Sequence, residues 1–166
     1  MRRKNKSTAK FPNASRLKVG IVASEYHGHI ARGLLRGAFE TLQACRVKKS
    51  NIGVLKVPGS FEVPFGCSTL LRMEKYDALV ALGCIIKGET DHDVHISRAV
   101  SLALMDLSLE YGAPIGFGII NANNLAQAKA RAAGENNKGK EAALAAVRLG
   151  MLQRGAAPPK ESRMGF

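Results

Sequence analysis

The chain has 166 residues, of which 25 are Lys or Arg and 13 are Asp or Glu, so its formal net charge is +12. A chain of this length is typical of one domain and can bury a core without disulfide bonds or a structural metal ion. Its hydrophobic content of 46% fits a folded globular protein rather than a disordered one. We expect no membrane-spanning segment and no signal peptide, because no apolar run of suitable length occurs.

Most of the net charge lies near the two ends of the chain. Residues 1–18 carry seven Lys or Arg and no acid, which gives a net charge of +7. Residues 150–166 have a net charge of +2, and residues 19–149, the body of the chain, have a net charge of only +3. Basic ends can bind polyanions weakly through counterion release, or they can simply be solvated. We therefore expect a basic, disordered arm over residues 1–16, a domain over residues 17–152 and a flexible tail over residues 153–166.

The cysteines point to no metal or redox chemistry. Cys45, Cys67 and Cys84 are odd in number, and no two of them have Cys-x-x-Cys spacing. Cys67 and Cys84 lie in apolar runs, where cysteine usually behaves as a small buried hydrophobe. Free thiols are typical of a reducing compartment, so we expect a cytoplasmic protein.

Short apolar runs alternate with segments of helical periodicity from residue 17 onward. The apolar runs predict four strands, over residues 17–23, 52–57, 78–86 and 115–120. The periodic segments predict five helices, over residues 30–45, 63–73, 91–111, 123–133 and 138–151. Such alternation is typical of βαβ units with right-handed crossovers. We therefore predict an α/β fold, a three-layer α/β/α sandwich around a four-stranded parallel sheet.

The third predicted helix has two apolar stripes. The first consists of Ile96, Ala99, Val100, Ala103, Leu104 and Leu107. The second consists of Leu102, Met105 and Leu109. One stripe can pack on the sheet, whereas the other needs a neighbouring helix of the same chain or a second subunit. We favour the subunit interface.

Ligands bind open parallel sheets outside the carboxyl ends of the strands, so the loops after the strands are the candidate site. After the third strand, Gly88-Glu-Thr90 leads directly into a helix. Its backbone N–H groups and the Thr90 hydroxyl can hold an anion such as phosphate, although many such turns only cap a helix. His92, on the first helical turn, can transfer a proton near neutral pH, or it can be a structural or surface histidine.

Four further residues have a functional and a structural interpretation. Arg131 and Lys138 can neutralise a phosphate charge, or they can be solvated surface charges. Tyr26 and Phe117 can stack on a flat heterocycle or fill the core, and core filling is the stronger alternative for Phe117, which lies between two glycines. Glu62 can accept hydrogen bonds from a ring N–H or a hydroxyl, or it can cap the helix that follows.

Several separated motifs keep the order and spacing of a known family over residues 17–152. They include Val57-Pro-Gly-Ser-Phe-Glu-Val-Pro64, Leu82-Gly-Cys-Ile-Ile-Lys-Gly-Glu-Thr-Asp-His92, Gly112-Ala-Pro-Ile-Gly-Phe-Gly118 and Asn137-Lys-Gly-Lys-Glu-Ala-Ala143. In these motifs the chain resembles the 6,7-dimethyl-8-ribityllumazine synthases of riboflavin biosynthesis. The resemblance implies a flavodoxin-like fold and a transferase without cofactor or metal.

The reaction that the resemblance implies condenses 5-amino-6-(D-ribitylamino)uracil with 3,4-dihydroxy-2-butanone 4-phosphate to the lumazine, releasing phosphate and water. One alternative is an archaeal-type riboflavin synthase on the same fold. Another is a non-catalytic basic module that binds nucleic acid, but the nearly neutral body contains no nucleic-acid-binding motif. The motifs around Glu62 and His92 favour the condensation.

The resemblance also implies roles for individual residues. His92 would transfer protons. The pyrimidine would be bound by Tyr26, Ser60, Phe61, Glu62, Cys84, Ile85, Ile86 and the Phe117 of an adjacent subunit. The phosphate would be bound by Gly88, Glu89, Thr90, the Arg131 of an adjacent subunit and Lys138.

The family forms homopentamers with active sites between adjacent subunits, and some members assemble 60-subunit shells. The turn between Arg131 and Lys138 is short, so it does not block the assembly of such a shell. Riboflavin synthase is a candidate partner, whereas neither a membrane nor a nucleic acid is expected as one. The sequence departs from the family at Tyr26, where Phe or Trp is common. It departs again after His92, where Asp93 and Val94 stand in place of an aromatic residue and an acid.

Overall fold

The computed structural model describes residues 11–155, in which a four-stranded sheet is covered by helices on both faces. The strands are β1 (Val19–Ser24), β2 (Ile52–Val57), β3 (Ala78–Ile86) and β4 (Ile115–Ala122). The helices are α1 (Gly28–Ala44), α2 (Val63–Met73), α3 (His92–Glu110), α4 (Leu125–Arg131) and α5 (Lys138–Gly155). Two single turns of 3₁₀ helix lie at Lys49–Asn51 and Gly134–Asn136.

The strands are hydrogen-bonded in the order β2-β1-β3-β4, and every neighbouring pair is parallel. Helices α1, α4 and α5 cover one face, where Leu34 and Ala146 are among the buried side chains. Helices α2 and α3 cover the other face, where Cys67 and Val100 are buried. The predicted three-layer α/β/α sandwich with a four-stranded parallel sheet is therefore confirmed.

The bounds of β2, β3 and α2 agree with the prediction because turn residues mark them; Pro58-Gly59, for example, ends β2. Helix α4 is two residues shorter at each end than predicted. Its first turn is fixed by Asn124, whose side-chain oxygen accepts a hydrogen bond from the Gln127 N–H at 2.9 Å. An amide oxygen in this position satisfies a backbone donor that has no partner within the helix, so the helix begins after it.

The predicted arm and tail lie largely outside the described residues, because the structure covers neither residues 1–10 nor residues 156–166. Within the remainder of the predicted arm, Ala14 is buried and its N–H donates to the Cys45 carbonyl at 2.8 Å. At the other end, the Arg154 guanidinium donates to the Asp77 carboxylate at 3.3 Å. In the part of the chain that the structure covers, no helix is both long and apolar enough to cross a membrane.

Helix α3 places its two apolar stripes in different environments. Val100 and Leu104 of the first stripe are buried against the sheet, although Ala99 is exposed. In the second stripe Leu102, Met105 and Leu109 are exposed, with 65%, 59% and 74% of their surface accessible. No helix between residues 11 and 155 covers this stripe, so the alternative of packing on a helix of the same chain is wrong for the part of the chain that the structure describes. We call Leu102, Met105 and Leu109 the outer stripe.

Asn137, just before α5, connects α1, α4 and α5 through one buried side chain. Its amide N–H groups donate to the Gly33 carbonyl at 2.9 Å and to the Ala132 carbonyl at 2.7 Å. Its side-chain oxygen accepts from the backbone N–H groups of Gly139 at 2.8 Å and Lys140 at 3.2 Å. A Cβ at Gly37 would collide with this amide, so glycine allows the close approach of α1. The side chain thus satisfies four backbone groups at a three-helix junction.

We predict that Asn137→Ala lowers the free energy of unfolding by about 2–4 kcal/mol, because it leaves buried backbone groups without partners. Urea and thermal unfolding followed by circular dichroism measure the change. The neighbouring Asn136 is exposed and provides the matched control, since Asn136→Ala should change stability by less than about 0.5 kcal/mol. Equal effects of the two substitutions would contradict the role given to Asn137.

Candidate active site

The loops that follow β1, β2 and β3 meet at the carboxyl ends of these strands and enclose a cleft of about 510 Å³. After β1 the chain enters α1 on one face of the sheet, whereas after β3 it enters α3 on the other face. A crevice opens between neighbouring strands where the chain leaves in opposite directions, which is where ligands bind in this class of fold. The cleft therefore lies at the position that the sheet topology favours for a ligand.

Most of the predicted site residues line this cleft. They are Tyr26, Ser60, Phe61, Glu62, Cys84, Ile85, Ile86, Gly88, Thr90 and His92. Four lining residues were not predicted as part of the site, namely His27, Gly59, Asp93 and Ile96. His27 directly follows Tyr26, and Ile96 lies one helical turn after His92, so helical spacing from a predicted residue was a usable signal for Ile96.

A side chain from the loop after β2 fixes one wall of the cleft to β3. The Ser60 hydroxyl accepts a hydrogen bond from the Cys84 N–H at 3.1 Å and donates to the Cys84 carbonyl at 3.2 Å. Because β1 lies between β2 and β3, this contact passes across the carboxyl end of β1. A Cβ at Gly83 would lie 2.6 Å from the Ser60 oxygen, so glycine is needed beside the contact.

Two aromatic rings are exposed at the mouth of the cleft. Tyr26 has 70% and Phe61 has 60% of its surface accessible, so neither ring fills the core. The Tyr26 ring lies edge-on to His27, with ring centroids 4.8 Å apart. The loop that carries Tyr26 is held to β2 by the Glu25 N–H, which donates to the Val57 carbonyl at 2.8 Å. Exposed rings on an anchored loop can cover the face of a flat heterocycle.

The amino end of α3 forms the opposite end of the cleft. Gly88, Thr90 and His92 line it, and the Asp91 carbonyl accepts from the N–H groups of Val94 and His95 within the first helical turn. Positive partial charge at a helix amino terminus favours an anion at this point. The arrangement can therefore hold a phosphate close to the His92 imidazole, a group that can give or accept a proton.

Asp93 brings a buried carboxyl group into the same cleft. The side chain is 7% exposed, and none of the residues between 11 and 155 makes a hydrogen bond to its Oδ1 atom. An acid in the first turn of a helix is usually solvated, so sequence patterning gives no signal of this burial. The cleft thus contains two carboxyl groups from its own chain, those of Glu62 and Asp93.

Four predicted site residues do not line the cleft of their own chain within the described range of 11–155: Glu89, Phe117, Arg131 and Lys138. Phe117 is half exposed on the edge strand β4, so the core-filling alternative is wrong. The Arg131 guanidinium donates to the Gln127 carbonyl at 3.2 Å, and the Lys138 ammonium donates to the Glu141 carboxylate at 2.6 Å. None of the Arg or Lys side chains between residues 11 and 155 thus lines this cleft.

The buried thiols are chemically quiet. Burial raises the pKa of the Cys84 thiol to about 11 and the pKa of the Cys67 thiol to about 12. Burial also raises the pKa of Cys45, which the nearby Arg148 partly opposes. Cys84 therefore contributes backbone groups to the cleft wall rather than a nucleophilic thiolate at neutral pH. The described residues contain no cluster of His, Cys, Asp or Glu that could hold a metal ion.

Comparison with known proteins gives one consistent result. The family model described as 6,7-dimethyl-8-ribityllumazine synthase matches residues 16–154. A protein of that name from Buchnera aphidicola is 42% identical over 133 residues, which cover 79% of this chain and 84% of the relative. One from Christiangramia forsetii is 40% identical over 148 residues, covering 88% of both chains. One from Parabacteroides distasonis is 39% identical over 139 residues, covering 83% of this chain and 87% of the relative.

We predict that native protein resists thiol alkylation at pH 8, because a pKa near 11 for Cys84 leaves roughly one thiol in a thousand ionised. Alkylation with iodoacetamide, followed by intact-mass spectrometry, should add no label to the folded chain in the time that labels all three cysteines in urea. The Cys84 labelling rate should still be rising between pH 9 and pH 10, where a free thiol with a pKa of about 8.5 levels off. Levelling of the Cys84 rate below pH 9 would contradict the raised pKa.

Proposed function

The chain belongs to the 6,7-dimethyl-8-ribityllumazine synthase family, and we propose that the cleft at the ends of β1, β2 and β3 is its active site. The protein is a transferase that condenses 5-amino-6-(D-ribitylamino)uracil with 3,4-dihydroxy-2-butanone 4-phosphate to 6,7-dimethyl-8-ribityllumazine. The match of the family model over residues 16–154 carries this conclusion, and neither the riboflavin synthase nor the nucleic-acid-binding alternative is favoured.

The pyrimidine binds at the wall built by the loops after β1 and β2. Tyr26 and Phe61 stack on the ring, and their exposure at the mouth of the cleft supports this role. Glu62 accepts hydrogen bonds from the ring edge or the ribityl chain together with Ser60. Cys84, Ile85 and Ile86 offer backbone groups along the end of β3. The Phe117 of an adjacent subunit completes the pocket, since its ring is exposed on β4 and lies outside the cleft of its own chain.

The phosphate of the second substrate binds at the amino end of α3. Gly88, Glu89 and Thr90 form the turn that receives it, and the helix dipole favours its negative charge. Charge neutralisation comes from Arg131, and additionally Lys138, of an adjacent subunit. This assignment is supported by the position of both cations outside the cleft of their own chain.

The chemistry needs two reactants held together and several proton transfers. The amine of the pyrimidine attacks the ketone and loses water to give an imine, phosphate leaves the butanone carbon chain, and the ribityl-bearing nitrogen closes the ring with loss of a second water. Holding both substrates in one cleft supplies a large part of the rate, because it replaces a bimolecular encounter. His92 transfers protons at the carbonyl and leaving oxygens and adds a smaller factor.

The assembly is a homopentamer with each active site shared between neighbours. The outer stripe of α3 supports this proposal, because three large apolar side chains on one helix face need a cover. The turn between Arg131 and Lys138, which contains only Gly134–Asn136 as regular structure, is short enough for a 60-subunit shell. Riboflavin synthase, which consumes the lumazine, is the expected partner. Three free buried thiols suit a reducing cytoplasm.

We predict that His92→Ala lowers kcat of lumazine formation by about 10² while KM for each substrate changes little, because general acid–base help is lost in the transition state. The fluorescent product gives the rate when both substrates are mixed with purified protein. His95 is exposed one turn away and does not line the cleft in the described structure, so His95→Ala is the control with near-normal kcat. An unchanged rate in His92→Ala would remove His92 from proton transfer.

We predict that Arg131→Ala, like His92→Ala, is strongly impaired, and that the two variants restore activity to each other when they are co-expressed. If Arg131 acts in the neighbour's cleft, about one quarter of the sites in mixed oligomers combine an intact His92 with an intact Arg131. The same experiment with His92→Ala and Tyr26→Ala should restore nothing, because both residues line the cleft of one chain. Failure of the first pair to regain activity would contradict the shared site.

A further inference from the structure

The carboxyl group of Asp93 is the one buried polar side chain whose environment in the described structure leaves an atom without a hydrogen bond. Asp93 lies in the first turn of α3 and lines the cleft together with His92 and Ile96. Its side chain is 7% exposed, and no described Lys or Arg forms an ion pair with it. Oδ1 is therefore shielded from water, while Asp93 as a residue lines the cleft.

Burial of a carboxyl oxygen without a partner lowers the stability of the free protein. A buried carboxyl oxygen loses its hydration, and only a hydrogen-bond donor or a cation compensates for that loss. Asp91, two residues earlier, is exposed and begins the helix, so Asp93 is not needed as the acid next to the helix dipole. Buried polar groups without partners are rare in native proteins, so this one requires an explanation, and a ligand in the cleft that Asp93 lines provides one.

We propose that the Asp93 carboxyl group binds the pyrimidine substrate by accepting a hydrogen bond from one of its N–H or ribityl O–H groups, an inference that rests on the proposed function. This substrate carries several donors and no full negative charge. The other substrate carries a phosphate, which a nearby carboxylate would repel. Asp93 thus distinguishes the two substrates, and it favours the pyrimidine in the part of the cleft that it borders.

The test compares Asp93→Asn and Asp93→Ala with the same substitutions at Asp91, which remove the same charge from the same helix end. Equilibrium binding of 5-amino-6-(D-ribitylamino)uracil alone, without the second substrate, is measured by calorimetry, and steady-state constants are measured for both substrates. Asp93→Asn keeps an acceptor oxygen but loses the charge, whereas Asp93→Ala loses both. We expect the Kd for the pyrimidine to rise about 10-fold in Asp93→Asn and more in Asp93→Ala.

The KM for the butanone phosphate should stay the same or fall in both Asp93 variants, and the two Asp91 variants should bind the pyrimidine as the wild type does. The melting temperature of the free protein should not fall in Asp93→Asn, because no hydrogen bond of the free chain is lost. An unchanged pyrimidine Kd in Asp93→Ala would overturn the proposal. A lower melting temperature together with smaller oligomers in native mass spectrometry would also overturn it, because Asp93 would then pair with a neighbouring subunit.

Failure of this inference is distinguishable from failure of the proposed function. If the wild-type protein binds the pyrimidine and forms the lumazine, and the Asp93 variants bind the pyrimidine equally well, only the role of Asp93 is rejected. Wild-type protein that neither binds the pyrimidine nor forms the lumazine would reject both.

Discussion

The pair of hydrogen bonds between Ser60 and Cys84 is the contact on which the geometry of the cleft depends. In the sheet order β2-β1-β3-β4, the loop after β2 has to pass the end of β1 to reach β3, and the Ser60 hydroxyl makes that connection with one donor and one acceptor. Gly83 leaves the space that the hydroxyl needs. Phe61 and Glu62 follow directly, so their positions above the sheet are set by the same contact. A short polar side chain therefore fixes the wall to which we assign the pyrimidine.

Burial and exposure divide α3 into two functional halves. Its first turn carries His92 and Asp93 at the cleft, and Val100 and Leu104 anchor the middle of the helix against the sheet. The outer stripe extends along the rest of the helix and lies uncovered on the single chain. In the proposed pentamer, the contact that covers this stripe would press on the helix that also positions the proton-transfer residue. In that pentamer, assembly and catalysis would be coupled through the same helix.

The layers of the fold and most of the residues in the cleft wall could be predicted from the sequence. Turn residues such as Pro58 and Gly59 mark element ends, and a parallel sheet brings the loops after its strands to one edge. The burial of individual side chains could not be predicted where it depends on tertiary packing. Phe117, flanked by glycines, has the pattern of a core residue but is exposed, because β4 is an edge strand with nothing described over that position. Asp93 has the pattern of a solvated helix acid but is buried where it lines the cleft, although Asp91 and His92 beside it are exposed.

The distribution of charge in the cleft is consistent with the proposed sharing of the active site between subunits. The chain supplies its own cleft with the carboxyl groups of Glu62 and Asp93, which suit the donors of the pyrimidine and oppose a phosphate. The amino end of α3 offers only partial positive charge to compensate. Among residues 11–155 no Lys or Arg lines the cleft, and Arg131 lies on a helix that does not reach the cleft of its own chain. In the proposed shared site, the carboxyl groups and the cations would come from different subunits, so they would not neutralise each other before the substrates arrive. Binding of the phosphate substrate would then depend on a neighbouring subunit.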